Sequence, residues 1–144
     1  MLSFSHSGYK YSQRRCESMV NWFFAQYLPR HKIDLHIHHC GLVREGVYGW
    51  VWANDCDYRP RSFDIELRHS LKPEHYGKVL FHELWHVYQH VKGMLKDKHG
   101  KRLWKGVDCS QVDYELRPWE KEACEMETVL YDEWRVNRPI YELS

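Results

Sequence analysis

Apolar residues return along this chain on two different periods. Between Arg14 and Leu28, the residues Val20, Phe23, Phe24 and Tyr27 recur every three or four positions, which predicts an amphipathic helix that Pro29 ends. Lys32–Cys40 alternates instead, with Ile33, Leu35 and Ile37 on one side and Asp34, His36 and His38 on the other, so a strand is expected. Val47–Ala53 is rich in β-branched and aromatic residues and reads as a second strand. Ser62–His69 alternates again and reads as a third, with Phe63, Ile65 and Leu67 on one side. The connections are short and polar, with turn residues over 41–46 and 54–60, so the expected sheet is antiparallel. Residues 1–12 read as a loose polar start. Helical spacing returns at Leu80, Leu84, Val87 and Val91, with Pro73 and Glu74 as a start and Gly93 as a stop. Met94–Ser110 is charged and Gly-punctuated and reads as a loop or hairpin. Pro118–Asn137 carries Trp119, Ala123, Met126, Leu130 and Trp134 on one stripe, and Pro139 closes this last helix. Trp50, Trp52, Trp85, Trp104 and Trp119 are simplest as core residues. The elements add up to an α+β chain: an N-terminal helix, a small mostly antiparallel sheet, a central helix and a C-terminal helix.

Composition narrows the classes. A chain of 144 residues without internal repeats or low-complexity linkers is expected to be one domain, and 43% hydrophobic and 15% aromatic content argue for a packed core. The net charge of +1 gives no strong field toward nucleic acid or an acidic membrane, although a small basic run occurs near Lys96–Lys105. No run of eighteen apolar residues exists to span a membrane, and Met1–Arg15 lacks the apolar centre of a signal peptide. A cytoplasmic protein is therefore expected. The five cysteines (Cys16, Cys40, Cys56, Cys109 and Cys124) are odd in number and form no C-x-x-C, which points to reduced thiols.

The chemistry concentrates in His82-Glu83-Leu84-Trp85-His86. Two histidines four apart on a helix are about 40° apart around its axis, near enough to share one ion. Glu83 stands beside that face, within reach of a metal-activated water. This is the H-E-x-x-H pattern of zinc metalloproteases. Catalytic zinc normally takes three protein ligands, so a third must come from elsewhere. Glu120 opens the last helix and can point back at the first two ligands. Glu122 is roughly 200° around that helix from Glu120, so both cannot face one ion. An acid in a first helical turn also complements the helix dipole with no metal at all. His99, in Lys98-His99-Gly100, is a further candidate. His90 lies near the same face as His82 and His86 but a turn too far along to join them, and is expected as a supporting or surface residue. A second histidine cluster, His36, His38 and His39, has the spacing of a strand and no adjacent acid or thiol, and reads as a solvated or hydrogen-bonded face. Two imidazoles and a carboxylate suit zinc, while manganese, iron and nickel accept the same donors.

Three separated blocks carry a resemblance: His82–His86 with Gln89, then Leu103-Trp104-Lys105-Gly106, then Tyr114 and Arg117-Pro118-Trp119-Glu120-Lys121-Glu122-Ala123. Over roughly residues 62–130 the chain resembles small zincin-like proteins of the gluzincin type, many of them encoded by tailed bacteriophages and bacteria. The resemblance implies a minimal zincin fold and a metal set of His82, His86 and Glu120, because the gluzincin ligand is the first Glu of an E-x-x-A-like block. A competing resemblance, to SprT/Spartan-type metallopeptidases, rests on His99-Gly100 and Trp104, makes His99 the third ligand, and leaves the Trp119–Ala123 block unexplained. The metzincin pattern fails at Gln89 and Lys92.

The expected activity is zinc-dependent hydrolysis of peptide bonds in a protein or peptide substrate, with Glu83 as general base. Tyr114 is the first candidate, and His99 the second, for the donor that helps hold the oxyanion. By strand addition the substrate is expected along Phe63–Arg68, with His69 near the cleft. The alternative class is a non-catalytic, zinc-stabilised binding module that keeps the metal ligands and has no need of Glu83.

Overall fold

The computed structural model describes residues 1–41, 47–55 and 59–137. The chain runs β1 (Leu2–Gly8), α1 (Gln13–Tyr27), β2 (Ile33–Cys40), β3 (Gly49–Ala53), β4 (Ser62–Arg68), α2 (Pro73–Val91), β5 (Leu95–Lys98), β6 (Lys101–Trp104), β7 (Val107–Asp108), a 3-10 turn (Tyr114–Leu116) and α3 (Pro118–Asn137). It is a small α+β protein with three helices and two sheets among the described residues. The turns expected at 41–46 and 54–60 fall in part, and the close at Pro139 falls wholly, on residues outside the described ones. So does Cys56; Cys16, Cys109 and Cys124 are free thiols.

The main sheet has the strand order β1-β2-β4-β3. Its pairings correct the antiparallel expectation. β1 runs parallel to β2, and β2 runs parallel to β4; only β3 is antiparallel, on β4. The first twelve residues are not a loose start. Leu2 and Phe4 pack against the core while Ser3, Ser5 and Ser7 face out, so this short stretch alternates as a strand does. Parallel strands need a long crossover, and α1 supplies it between β1 and β2. β5, β6 and β7 form a separate antiparallel meander.

This order also moves the open edge. β4 is flanked by β2 and β3, so Phe63–Arg68 is an internal strand and cannot accept another strand. The edge beside α2 is β3. His69 sits against Tyr9 and Ser70, away from the cleft described below.

Each helix starts and stops for identifiable reasons. Ser12 caps α1 by accepting from the Arg15 amide at 3.2 Å. Pro73 occupies the first turn of α2, where its missing N–H costs nothing, and Gly93 (φ +78°) lets the chain turn out after it. One face of the main sheet (Ile33, Leu35, Ile37, Phe63, Ile65 and Leu67) joins α1, α2 and α3 in one apolar cluster. α2 is its centre, buried along most of its length. Each of these fully buried apolar side chains contributes about 1.5–3 kcal/mol.

The C-terminal half of α3 is anchored on α1. Trp134 is buried and donates to Ser18 Oγ at 3.0 Å, and Tyr27 donates to Glu133 at 2.9 Å. A Cβ on Gly77 would collide with the Tyr131 ring, so glycine there lets α3 close onto α2. The N-terminal half of α3 is thereby set beside His82 and His86. Of the tryptophans expected in the core, Trp85 and Trp119 are buried, whereas Trp50, Trp52 and Trp104 are half-buried.

Candidate metal centre

His82 and His86 project from α2 and Glu120 from the first turn of α3, and their ligand atoms lie within 4.8 Å of one another. Glu120 bridges the pair: Oε2 is 3.2 Å from His82 Nε2 and Oε1 is 2.9 Å from His86 Nε2. The two imidazoles thus aim the same nitrogen at one carboxylate, which is the donor set of a three-ligand site.

The other ring nitrogens are also engaged. His82 Nδ1 lies 2.8 Å from Glu127 Oε2, and His86 Nδ1 lies 2.8 Å from Gln89 Oε1. Gln89 is itself fixed, donating to the Trp119 carbonyl at 3.0 Å and to Glu122 at 3.2 Å. Acceptors at both Nδ1 positions favour Nδ1–H tautomers and free both Nε2 lone pairs for an ion. The chemistry of the donor set therefore fits a divalent metal. Glu122 does not join it: its carboxylate accepts from Trp85 Nε1 at 2.7 Å and from Gln89.

The electrostatics follow from this crowding. Burial alone lowers the His82 pKa, but hydrogen bonds to Glu120 and Glu127 outweigh it and raise it to about 10. Burial pushes Glu120 up, yet the hydrogen bonds from His82 and His86 win and hold its carboxyl well below the ordinary carboxylate range. These two shifts describe one interaction seen from its two ends. Glu83 is buried in the same cleft, and burial raises its pKa against the pull of His86 and His82. A raised carboxyl is suited to holding a proton in mid-reaction.

The cleft lies between α2, the β3 edge, the β5–β6 hairpin and the start of α3. His82, Glu83, His86, Trp50, Tyr114 and Glu120 line it. β3 fits closely here: a Cβ on Gly49 would meet Val79 Cγ1 at 2.9 Å and Glu83 Cγ at 3.0 Å. Tyr114 donates from its hydroxyl to Glu120 Oε2 at 3.2 Å, and burial followed by the Glu120 charge raises its pKa to about 12. It remains a proton donor at neutral pH. His90 is buried and lines the same cleft rather than the surface. Burial, then Arg102, lowers its pKa to about 4, and its Nδ1 has no hydrogen-bond partner among the described residues.

His99 is not brought to this cluster. It is exposed at the tip of the β5–β6 hairpin, where His99 (φ +52°) and Gly100 (φ +76°) are the two central residues of the turn. Positive φ at both positions is the type I′ geometry that short hairpins favour. Lys105 (φ +49°) and Gly106 (φ +87°) repeat it before β7. The His-Gly pair is thus accounted for as a turn.

Glu127 and Gln89 were not anticipated as partners of the ligands. Their signal was present: Glu127 is seven residues after Glu120, on the same side of α3, and Gln89 is three after His86. No family model matches the chain, and searches of curated proteins and of solved structures return no match either.

Proposed function

We propose that this protein is a zinc-dependent metallopeptidase of minimal zincin-like, gluzincin-type architecture. The observation that carries the reading is the convergence of His82 Nε2, His86 Nε2 and the Glu120 carboxylate, with Glu83 buried in the same cleft. His82, His86 and Glu120 would hold the metal. Bound there, zinc supplies Lewis acidity, lowering the pKa of water toward neutrality and polarising a substrate carbonyl.

The chain's own residues do the rest. Glu83 accepts the proton of the attacking water and returns it to the leaving amine. Tyr114 trades its hydrogen bond to Glu120 for one to the oxyanion. Gln89 and Glu127 hold the two imidazoles in orientation. An extended peptide would pair with the exposed edge of β3, which passes directly beside Glu83.

The test combines elemental analysis with peptide hydrolysis. Purified protein is expected to carry about one zinc per chain, and Glu120→Ala to lose it. Glu83→Gln is expected to keep the zinc and lose about 10²–10⁴-fold in turnover. If Glu83→Gln hydrolyses a test peptide as fast as wild type, the catalytic reading falls and a zinc-stabilised binding module replaces it. A protein that takes up no metal removes both.

A further inference from the structure

His82 belongs to two groups of ligand atoms. The first is the one described above. In the second, atoms of His82, Cys124 and Glu127 also lie within 4.8 Å of one another. Cys124 and Glu127 stand four and seven residues after Glu120, so all three line one side of α3 opposite His82. The His82 ring faces Glu120 through Nε2 and Glu127 through Nδ1. Cys124 is exposed and Glu127 half-buried, so this second group opens to solvent, whereas Glu120 and His86 sit deeper.

We propose that His82, Cys124 and Glu127 form a second metal site, one that takes a thiophilic divalent ion such as Zn²⁺ or Cd²⁺ and opposes the first by sharing His82. The inference deepens the metallopeptidase reading, on which its inhibitory consequence rests. Imidazole, thiolate and carboxylate together select zinc-like ions over magnesium or calcium, which prefer oxygen alone. Solvent completes the coordination, because the site faces outward. On binding, the thiol proton and the Nδ1 proton leave to water, and the sulfur and nitrogen lone pairs go to the ion.

That exchange has a cost at the first site. The Nδ1–H···Glu127 hydrogen bond keeps Nε2 aimed at the Glu120 side, and filling the second site abolishes it. The second ion therefore binds more weakly than the first and lowers turnover when it does. Zinc in excess acts as an inhibitor through Cys124.

The experiment is a titration of metal-free protein with Co²⁺, followed by absorbance, on wild type, Cys124→Ser and Glu120→Ala. Wild type is expected to take up a second equivalent that brings in a thiolate-to-cobalt charge-transfer band. Cys124→Ser should keep the first equivalent and lose both the second and the band. Glu120→Ala should lose the first and keep the band. Excess zinc should then slow peptide hydrolysis by wild type and leave Cys124→Ser at its starting rate. Identical titrations for wild type and Cys124→Ser overturn the second site and leave the first standing. A band that appears with no first equivalent in wild type does the reverse. Unchanged hydrolysis with both sites filled overturns the antagonism.

Discussion

His82 and His86 lie four residues apart on α2, and His36 and His38 lie two apart on β2. In each pair the rings are neighbours, with centroids 4.9 Å apart on the helix and 4.1 Å apart on the strand. What meets them differs. On the helix, each Nδ1 meets a fixed acceptor, Glu127 of α3 for His82 and Gln89 of α2 itself for His86, and both Nε2 atoms face one carboxylate. On the strand, Ser5 and Ser7 of β1 take both nitrogens of His36, and His38 divides between Ser7 and Asp64 of β4. Exposure separates them too: the His86 side chain is 7% exposed and that of His38 is 41%. Paired histidines can hold a metal when an acceptor fixes one nitrogen of each ring and leaves the other pointing inward at a shared carboxylate. Rings whose two nitrogens are both taken, by two hydroxyls at His36 and by a hydroxyl and Asp64 at His38, make a hydrogen-bonded surface instead.

The largest expected effect comes from removing that outer support. Glu127→Ala and Gln89→Ala each leave all three ligands in place and are expected to weaken metal affinity by about 10–100-fold. Competition with a chelator of known affinity measures it. Gln89→Ala also removes buried hydrogen bonds to the Trp119 carbonyl and to Glu122, so a thermal melt of the loaded protein must accompany it. The matching change on the strand, Ser7→Ala, is expected to leave metal content untouched. If Glu127→Ala binds metal as tightly as wild type, orientation of His82 is not what distinguishes the two pairs.

A smaller effect, of opposite sign in the two regions, comes from pH. In metal-free protein His82 has a folded pKa of about 10 against an ordinary 6.5, so between these values the folded state binds more protons. Its stabilisation is full below 6.5 and is lost as pH rises to 10. His39, on the covered side of β2, shifts the other way. Burial pushes it down to about 4, with Tyr76 Oη 2.8 Å from Nε2 and the Ser7 carbonyl 2.9 Å from Nδ1. Here the unfolded state binds more protons, so stability is full above 6.5 and falls as pH drops toward 4. Thermal melts in chelator should therefore lose stability on both sides. Zinc should remove the alkaline loss, because an ion takes the place of the proton between His82 and Glu120. An alkaline loss that zinc leaves unchanged would show that the ion is bound elsewhere.

The contrast between the regions also explains what the sequence disclosed. Local patterns carried α1, α2 and α3, with the start and stop of α2 and the start of α3, since Pro73, Gly93 and Pro118 act within one turn. The H-E-x-x-H spacing set two histidines on one face, and the helix start at Pro118 marked Glu120 as an acid able to reach them. Strand partners are different, because pairing joins residues far apart in the chain. The alternation of Ile33, Leu35 and Ile37 identifies a strand and says nothing of its neighbours. β1 and β4 on either side of it, both parallel, came only with the structure. The same nonlocality hid the acid beside the strand histidines: Asp64 stands opposite His36 in register and is 26 residues from His38 in sequence. It also hid that β4, expected as an open edge, is an internal strand and that β3 is the edge. The alternation of Leu2, Phe4 and His6 with three serines was readable, but serine on the outer face made the stretch look like a polar tail.

The smallest expected effect is on the strand pair itself. His36→Ala and His38→Ala remove imidazoles whose partners are hydroxyls at the surface and a carboxylate, Asp64, that also accepts from Asn54 at 2.9 Å. Water replaces those hydrogen bonds on an exposed face, so each variant is expected within about 0.5 kcal/mol of wild-type stability. Metal content should stay at the wild-type level, since these rings offer no set of three converging ligands with Asp64. Denaturant unfolding and elemental analysis of the double variant check both points. A loss of metal from His36→Ala or His38→Ala would mean that the strand histidines bind an ion despite their hydroxyl partners. Fixed orientation with one nitrogen left inward would then not be required, and spacing alone would be enough to make a pair of histidines a site.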